Sequence, residues 1–377
     1  MILCAPDSFK GSLSAARAAR AMAAGAGRAL PGEEVRLAPL ADGGEGTVEA
    51  LLQALGGEEV LLSVPGPLGE VVEAFYGLLP GGETAVIETA AASGLLLVPP
   101  ERRDVLRAST FGTGRLIASA LDEGARRILV GLGGSATCDG GAGMAQALGF
   151  SLLDEEGREL PPGGGALVRL HRIDPSGAHP ALKEARIQGA CDVEAPLLGP
   201  RGAAAVFAPQ KGAGPEEVKI LEAGLARLAE VLKIQFGRHV ADLPGAGAAG
   251  GLGAGLAGFL GAELKPGFQL VAQAIDLEKK IQGARLVLTG EGRLDGQTSL
   301  GKAPAGVIRL CRRLGTPVLA LAGELGPGWR TLLEEGLISA FPICPGPVPL
   351  EEAKRRAAEY LTDATERALR AFFAPWR

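Results

Sequence analysis

Short apolar runs that each lead into a helical pattern are the feature that most constrains the fold of this chain. Each run ends in a loop rich in glycine or acidic residues, and helical spacing of apolar residues follows. The arrangement recurs at 1–15, 34–57, 125–150, 284–315 and 316–336. Strands that alternate with helices are typical of folds built on largely parallel sheets. The sequence therefore predicts an α/β protein.

The length of 377 residues predicts two domains, because a single hydrophobic core rarely grows beyond ~250–300 residues. Residues 58–110 differ from the chain ends, since turn signals separate alternating segments there, as in antiparallel hairpins. Residues 150–245 include a strongly amphipathic helical pattern at 215–237. We predict a doubly wound domain built from the two chain ends, with a mixed α/β domain inserted between them.

The predicted boundaries give the doubly wound domain residues 1–62 and 285–377 and give the inserted domain residues 63–284. The strand expected at 127–131 could belong to either domain. No internal repeat supports a further division.

The composition argues against several classes of function. The net charge of −5 and the 4% of aromatic residues disfavour nucleic acids and anionic membranes as partners. The cysteines are scattered without a C-x-x-C pair, which disfavours a zinc site or a disulfide framework. No secretion signal is visible, and the longest apolar stretch, 251–264, is too short to span a membrane. We expect a cytoplasmic protein. Its lack of Asn fits a thermophilic source, although a GC-rich genome would give the same bias.

Loops at the carboxyl ends of parallel strands line the ligand crevice of open α/β sheets. This rule selects the loops at 6–11, 41–47, 131–143 and 289–302. The last loop contains G-x-x-x-x-G-K at 296–302, which is close to the phosphate-binding loop of nucleotide-binding proteins. However, the apolar run ends near Thr289, well before Gly296, and Ala303 stands where Ser or Thr would hold Mg²⁺. We therefore predict a different kind of site.

Three charged residues of the same loop remain candidates for ligand binding. Glu291 and Asp295 are carboxylates of the kind that binds Mg²⁺, and Lys302 suits a phosphate. Pro304 is well placed for the first turn of the next helix, which would leave backbone N–H groups near Lys302 for an anion. The alternative is a solvated surface loop.

The loop after the first strand carries Asp7, Ser8 and Lys10, and Gly11 would allow a ligand to approach closely. A helix amino terminus beside a lysine is a ready site for a carboxylate or a phosphate. The alternative is that Asp7 or Ser8 only caps the helix.

The loop at 41–47 places Asp42 and Glu45 on either side of Gly43 and Gly44. Carboxylates in a glycine-rich loop suit Mg²⁺, which takes one or two protein carboxylates and keeps water or phosphate oxygens. The alternative is a plain turn that begins with an aspartate.

Glycine dominates the loop at 131–143, where backbone amides without side chains can cradle phosphate oxygens. Its candidate residues are Gly133, Gly134, Ser135, Thr137, Gly140 and Gly141. A second glycine-rich segment, 245–250, matches G-x-G-x-x-G but follows Pro244 instead of a clear strand. Dinucleotide binding there is weakly supported, and close packing through small residues explains the segment equally well.

Two further residues have chemistry that suits a transfer reaction. Asp192 follows a short apolar segment and could take a hydroxyl proton, and Lys211 could meet a phosphate. Either could equally be a solvated loop residue. The three histidines show no spacing typical of a metal site or a Ser–His–Asp triad.

These motifs together resemble the bacterial glycerate kinases. The segments that carry the resemblance, in order, are APDSFKGSLSA, ADGGEGT, GGSAT-DGG, DV…PL-G, PQKGA, GAGAAGGLG and TGEGRLDGQT--GK-P-GV. The resemblance implies ATP-dependent phosphorylation of D-glycerate with Mg²⁺, generally to 2-phosphoglycerate. It also implies a flavodoxin-like domain, a second α/β domain and an active site in the cleft between them. Cys138 and Ala195 depart from it, since the family often has Asn at both positions.

The residues and the resemblance together give a hypothetical site. The residues assigned to catalysis are Lys10, Asp42 and Asp192, with Asp42 or Asp192 as the base. Those assigned to glycerate are Asp7, Ser8, Lys10, Gly43 and Gly44. Those assigned to ATP are Gly133, Gly134, Ser135, Thr137, Gly140, Gly141, Lys211 and Lys302. Those assigned to the metal are Glu45, Glu291 and Asp295, with Asp42 and Glu45 as an alternative pair.

Several alternatives stay open at this point. The kinase could give 3-phosphoglycerate or act on a related small hydroxy acid. Functions of other classes are a dinucleotide-dependent oxidoreductase and a non-catalytic carboxylate-binding module. The oligomeric state is also open, and a homodimer is one option.

Overall fold

The computed structural model describes residues 1–300 and 302–374. The chain divides into two compact units, which we call the terminal unit and the inserted unit. The terminal unit comprises Met1–Asp42, Glu49–Leu55 and the chain from Phe268 onward. The inserted unit comprises Gly43–Val48 and Gly56–Gly267.

The bounds of the regular elements, in chain order, are as follows. The strands are β1 (Ile2–Cys4), β2 (Val35–Leu37), β3 (Glu58–Pro65), β4 (Val71–Leu78), β5 (Thr84–Glu88), β6 (Arg127–Gly131), β7 (Ser151–Leu153), β8 (Arg172–Asp174), β9 (Arg186–Ala190), β10 (Glu263–Lys265), β11 (Leu286–Leu294), β12 (Val318–Leu325) and β13 (Ser339–Pro342). The helices are α1 (Ala15–Ala29), α2 (Thr47–Leu55), α3 (Thr89–Ser93), α4 (Phe111–Asp122), α5 (Ala142–Ala147), α6 (Ala203–Phe207), α7 (Pro215–Phe236), α8 (Ala248–Leu260), α9 (Gly267–Ala274), α10 (Leu277–Gln282), α11 (Ala303–Leu314), α12 (Thr331–Glu334), α13 (Leu350–Arg355) and α14 (Ala357–Phe372). Short 3-10 helices lie at Leu95–Leu97, Pro100–Arg102, Gly164–Arg169, Pro180–Lys183, Pro209–Lys211 and Thr298–Leu300.

The terminal unit is built on a five-stranded sheet in the order β13-β12-β11-β1-β2. Every neighbouring pair in this sheet is parallel. Counted along the chain of this unit alone, the order is 2-1-3-4-5, which is the flavodoxin-like order. The direction in which strands are added reverses between β1 and β11.

Helices cover both faces of this sheet. Ile2, Leu288 and Leu321 pack with α1 and α14 in one apolar cluster. Because successive strand residues point to opposite faces, the buried Leu3 and Val287 face the other way, and α11 contacts β11 and β12 there. The predicted doubly wound, flavodoxin-like domain is confirmed.

The inserted unit contains a six-stranded sheet in the order β10-β9-β6-β5-β4-β3. The strands from β10 to β5 are parallel, whereas β5, β4 and β3 form antiparallel pairs. Strands β7 and β8 form a separate antiparallel pair. The unit is therefore mixed α/β, as predicted. The antiparallel hairpins predicted for 58–110 occupy its first part, to Glu88, and the strand at 127–131 is β6 of this sheet.

The division between the units differs from the boundaries that the sequence suggests. The boundary expected after residue 62 falls inside β3, which pairs with β4 along its whole length from Glu58 to Pro65. Because the whole of β3 is paired with β4, a domain boundary does not fall within it. Residues 268–284 belong to the terminal unit, where α10 contacts α11. No helix in the described part of the chain is long and apolar enough to cross a membrane.

The crossing of α1 and α14 gives a test of packing in the terminal unit. A side chain at Gly25 would overlap the carbonyl of Thr362, so we expect Gly25→Ala to lower the free energy of unfolding by about 1–3 kcal/mol. Gly27 lies on the same helix with open space around it, so Gly27→Ala should be neutral or stabilising by up to about 1 kcal/mol. Urea denaturation of both variants measures the difference. Equal effects would contradict the close crossing.

Candidate active site

The first group of candidate residues lies at the carboxyl ends of β1 and β11. Ligands of doubly wound sheets bind where the strand order reverses, and these are the two strands at the reversal. The N–H of Asp7 donates to the carbonyl of Gly290 at 2.8 Å, and the hydroxyl of Thr289 donates to the carbonyl of Ala5 at 2.9 Å. These bonds hold the chain after β1 against β11.

Asp7 is the centre of charge in this group and is only 7% exposed. Burial raises the pKa of Asp7 to about 7, with repulsion from Asp42 and, less strongly, from Glu291 in the same direction. The N–H of Ser8, which donates to Asp7 Oδ1 at 2.6 Å, and the charge of Lys10 lower that pKa. The structure therefore brings Asp42, Glu291 and Lys10 within electrostatic reach of Asp7, although they come from three separate segments of the chain.

The helix after this loop has its own cap. Helix α1 begins at Ala15, and the hydroxyl of Ser14 accepts the N–H of Arg17 at 3.4 Å. The alternative that Asp7 or Ser8 only caps the helix is therefore wrong. The sequence suggests that the helix begins beside Lys10. In the structure, the exposed turn around Gly11 separates the two.

Strand β11 is longer than the sequence predicts, which corrects one argument about the 289–302 loop. The strand does not end near Thr289 but continues to Leu294, because it pairs with β12 as far as Leu325. A side chain at Gly290 would overlap the carbonyl of Leu321. The glycines that resemble a loop in the sequence instead allow two strands to pair. The G-x-x-x-x-G-K motif therefore follows its strand almost directly, as it does in a nucleotide loop.

The backbone amides at the start of this motif are not available to a phosphate. Such a loop needs N–H groups that point at the phosphate. The N–H of Gly296 donates to the carbonyl of Pro327 at 2.9 Å, and the N–H of Gln297 donates to the carboxylate of Asp295 at 2.9 Å. The N–H of Thr298 donates to the carbonyl of Asp295 at 3.0 Å. The conclusion from the sequence holds, but for a different reason.

Lys302 and Glu291, predicted for different ligands, form an ion pair with each other. Lys302 Nζ lies 3.4 Å from Glu291 Oε2, and Glu291 Oε1 accepts the hydroxyl of Thr298 at 2.8 Å. Burial raises the pKa of Glu291, whereas Thr298 and Lys302 lower it and Asp295 raises it slightly. Lys302 is the N-cap residue of α11, and Pro304 lies in the first turn, as predicted.

The terminal unit offers carboxylates of the kind that Mg²⁺ binds. Asp7, Asp42, Glu291 and Asp295 supply carboxylate oxygens, which Mg²⁺ prefers, and a cation would relieve the repulsion that raises the pKa of Asp7. Within residues 1–300 and 302–374, no three His, Cys, Asp or Glu side chains are grouped so that they alone could hold a metal ion. Mg²⁺ does not need such a group, because it keeps water or substrate phosphate oxygens.

The second group of candidate residues lies along one edge of the inserted sheet. Glu88, Gly131, Ala190 and Lys265 end four parallel strands and are paired in a single row. The loop at 131–143 therefore begins beside the segment that carries Asp192. Asp192 is exposed, and its Oδ1 accepts the N–H of Gly267 at 2.9 Å.

The glycine loop at 43–46 packs on this edge. A Cβ at Gly133 would lie 2.9 Å from the Cα of Gly44, and a side chain at Gly131 would overlap the carbonyl of Gly43. Gly43 itself has a φ of 83°, and a Cβ there would crowd Ala190. Glycine is thus required on both sides of the contact. The loops at 41–47 and 131–143, predicted separately, lie together.

Lys211 lies inside the inserted unit and is 3% exposed. Its ammonium group donates to the hydroxyl of Ser135 at 2.8 Å and to the carbonyl of Thr137 at 2.6 Å. Burial lowers the pKa of Lys211 to about 8, although Cys138 and Asp139 act in the opposite direction. Lys211 therefore holds the start of the loop that was predicted to bind ATP. A phosphate contact would use its third N–H.

The second half of the same loop is fixed from within. The N–H of Gly140 donates to the carbonyl of Gly250 at 3.1 Å, and the N–H of Gly141 donates to the carboxylate of Asp139 at 3.1 Å. Asp139 is fully buried and also accepts the N–H and the hydroxyl of Thr110. The N–H groups of Gly140 and Gly141 therefore point into the protein, and the phosphate cradle expected from them is not formed by these two amides.

The G-x-G-x-x-G segment at 245–250 is a packing motif. Within the described chain it follows a turn, not a strand, and α8 begins inside it at Ala248. Gly250 has a φ of 68°, and a side chain there would overlap the carbonyl of Thr137. The structure lacks the strand–turn–helix context that dinucleotide binding needs.

Glu88 is a buried carboxylate that the sequence analysis does not select. It ends β5, is 4% exposed, and its Oε1 accepts the N–H of Val48 at 2.8 Å. Burial raises the pKa of Glu88, whereas the N–H groups of Val48, Gly46 and Thr47 lower it. The available signal was a charge at the end of the apolar run AVIE, because a buried charge needs polar partners.

The sequence profile of the glycerate kinase family matches residues 2–373. The chain belongs to the glycerate kinase family. A glycerate kinase from Halalkalibacterium halodurans is 49% identical over 363 residues, which cover 96% of each chain. A glycerate 2-kinase from Escherichia coli K12 is 47% identical over 364 residues, which cover 97% of this chain and 96% of the relative.

A solved structure supports the same family. A crystal structure from Salmonella typhimurium LT2, provisionally assigned as a glycerate kinase 2, superposes with a TM-score of 0.91 at 45% identity. The superposition covers 99% of this chain and 98% of that one. The family and the fold inferred from the resemblance of the motifs are confirmed, and membership in this family makes the chain an enzyme.

Asp7 gives a test of the electrostatics of the site. Its folded pKa of about 7 lies above the ordinary value of ~3.9, so the folded protein binds the proton more tightly and loses stability as the pH rises from about 4 to 7. Asp7→Asn lacks this loss. We expect the variant to be more stable than the wild type at pH 8, by at most about 4 kcal/mol, and the gain to vanish near pH 4.

Urea denaturation at pH 4, 6 and 8 measures this difference. Asp242→Asn, at an exposed position of the inserted unit, is the control and should show no gain that depends on pH. An Asp7→Asn variant with wild-type stability at every pH would show that the carboxylate of Asp7 ionises at no cost.

Proposed function

We propose that the protein transfers the γ-phosphoryl group of ATP to the C2 hydroxyl of D-glycerate and yields 2-phospho-D-glycerate and ADP. The observation that carries this proposal is the group of Lys10, Asp7, Asp42 and Glu291 at the strand-order reversal of a chain in the glycerate kinase family. The choice of C2 is supported by the Escherichia coli relative, which is named a glycerate 2-kinase.

The terminal unit supplies the groups suited to the acceptor. Lys10 is exposed and would bind the carboxylate of glycerate, with Ser8 and Asp7 beside it. Asp42 acts electrostatically on Asp7, so its carboxylate lies near the place where the acceptor hydroxyl would be held. We assign to Asp42 the removal of the hydroxyl proton as the oxygen attacks phosphorus. Asp192 is the alternative base.

The inserted unit supplies the groups suited to the phosphates. Gly133, Gly134 and Ser135 form the turn after β6, and the buried ammonium group of Lys211 stands behind Ser135. The hydroxyl of Thr137 is buried without a hydrogen-bond partner among the described atoms, which is costly unless a ligand satisfies it. Phosphoryl transfer requires positioning and neutralisation of charge, and these groups offer both.

We assign Glu291 and Asp295 of the terminal unit to Mg²⁺, with Asp42 and Glu45 as the alternative pair. The ion would neutralise phosphate oxygens during transfer. Binding of such an ion to Glu291 would release Lys302 from its ion pair, and the freed ammonium group would then be available to a phosphate. The proposed role of Glu291 as a metal ligand and that of Lys302 as a phosphate-binding residue are compatible in this order of events.

The proposed reaction is tested by incubating the protein with ATP, Mg²⁺ and D-glycerate. We expect release of ADP and a product whose ³¹P–¹H coupling shows phosphate on C2, and no turnover after Mg²⁺ is chelated. Product phosphorylated on C3 would overturn the regiochemistry. Binding of glycerate without consumption of ATP would instead indicate a carboxylate-binding module, and oxidation of glycerate with NAD would indicate an oxidoreductase.

Lys10 gives the sharper test of the site. Lys10→Met removes the charge proposed for the glycerate carboxylate, so we expect kcat/KM for glycerate to fall by about 100-fold or more. Lys10 is exposed, so the melting temperature should stay within about 2 °C of the wild type. Lys219→Met, at an exposed position on α7, is the matched control and should keep full activity. Retained turnover in the Lys10 variant would remove this residue from the site.

A further inference from the structure

The inserted unit holds one of its acidic side chains where no catalytic role explains it. Glu88 ends β5, beside Gly131 in the row of strand ends, and only 4% of it is exposed. Taking a carboxylate out of water is costly, so such a group persists only where polar partners compensate it. The partners here are backbone N–H groups of the segment that immediately follows the glycine loop.

The N–H groups of Thr47 and Val48 belong to the first turn of α2, and that of Gly46 directly precedes it. Val48 donates to Glu88 Oε1 at 2.8 Å, and the N–H groups of Gly46 and Thr47 also stabilise the charged carboxylate. The first N–H groups of a helix have no partner within the helix and carry partial positive charge, so a carboxylate there is doubly favourable. The hydroxyl of Thr47 in turn donates to the carbonyl of Gly44 at 2.7 Å. Thr47 thereby connects Glu88 to Gly44 as well.

Part of the packing of this loop is close contact between backbones. Gly43 and Gly46 have φ values of 83° and 91°. Glycine adopts such values without strain, but it adopts negative φ values about as readily, so the glycines alone do not select this conformation. The contacts of Gly43 and Gly44 with Gly131 and Gly133 are between backbones and contain no interlocking side chain. A loop of this kind needs a directional anchor, and the carboxylate of Glu88 is one.

We propose that Glu88 is a positioning residue, which sets the conformation of the loop from Gly43 to Val48 and thereby the geometry with which that loop meets glycerate. This inference rests on the proposed function, because the loop carries Gly43 and Gly44, which are assigned to glycerate. Glu88 itself touches neither substrate. Its effect should therefore be larger on glycerate than on ATP, because Lys211 independently holds the 133–137 turn assigned to ATP.

The test is Glu88→Gln, which keeps the size of the side chain and removes its charge. We expect KM for glycerate to rise about 10-fold or more while KM for ATP stays within about twofold, since small displacements of positioning groups cost up to about 100-fold in rate. Amide hydrogen exchange in peptides that cover residues 43–50 should be faster than in the wild type. Glu88→Asp, which keeps the charge on a shorter side chain, should give intermediate values.

Glu222→Gln is the matched control. Glu222 also lies in the inserted unit and accepts a backbone N–H, that of Gly199 at 2.6 Å, but it is outside the row of strand ends. The change should leave both KM values unaltered, whatever its effect on the melting temperature. If Glu88→Gln lowers the melting temperature but both KM values stay at the wild-type level, Glu88 has only a structural role and the proposal is overturned.

Hydrogen exchange separates this inference from the proposed function. If the wild type does not turn over glycerate, the proposed function fails, but faster exchange at residues 43–50 in Glu88→Gln would still support the anchoring of the loop. Unchanged exchange in a folded Glu88→Gln protein would overturn the anchoring even if the wild type is an active kinase. Should Glu88→Gln fail to fold, the same two measurements on Glu88→Asp decide.

Discussion

The parallel pairing of β1 with β11 is the interaction on which the terminal unit depends. It joins Ile2–Cys4 to residues more than 280 positions later and puts the reversal of strand order between them. Because parallel strands end at the same edge, the loop that carries Lys10 and the last part of β11, which carries Glu291, lie at one edge of the sheet. The charges around Asp7 are a consequence of this pairing, since burial and neighbouring carboxylates together raise its pKa. Such clustering of carboxylates lowers the stability of the fold and is typical of a site that binds a cation or exchanges a proton.

In the inserted unit, glycines allow two loops to approach closely, and buried charged side chains form hydrogen bonds to the backbone of those loops. Glycine lets the 43–46 loop and the turn at 131–134 approach each other backbone to backbone. One buried charge of each sign contacts these loops. Glu88 accepts backbone N–H groups from the 43–48 segment, and Lys211 donates to the Ser135 hydroxyl and the Thr137 carbonyl. Burying either charge without partners would lower the stability of the fold. Hydrogen bonds to the loop that each charge orders compensate this loss.

The sequence predicts the parts of this structure that short-range chemistry determines. Strand–helix alternation gave the α/β class, and the positions of Asp7, Asp42 and Glu291 after apolar runs located the edge of the terminal sheet. Pairing between distant segments was beyond its reach. The residues from Gly290 to Leu294 resemble a loop until β12 is seen beside them, and the 62/63 boundary looks natural until β3 is seen paired with β4.

The individual partners of polar groups were also out of reach. Nothing in the sequence indicates that the N–H of Gly141 turns inward to Asp139, or that Lys302 pairs with Glu291. The family motifs select these residues without showing which atoms they use. Glu88 shows the opposite case, because it has an unambiguous structural partner but no motif drew attention to it.

The distance along the chain between β1 and β11 has a consequence for biosynthesis. β1 is synthesised long before residues 286–288, which supply its neighbour on one side. The inserted unit, which has an apolar core of its own, lies between them in the chain. The terminal sheet can therefore be completed only after the chain of the inserted unit has been made, and contacts between such distant segments are slow to form.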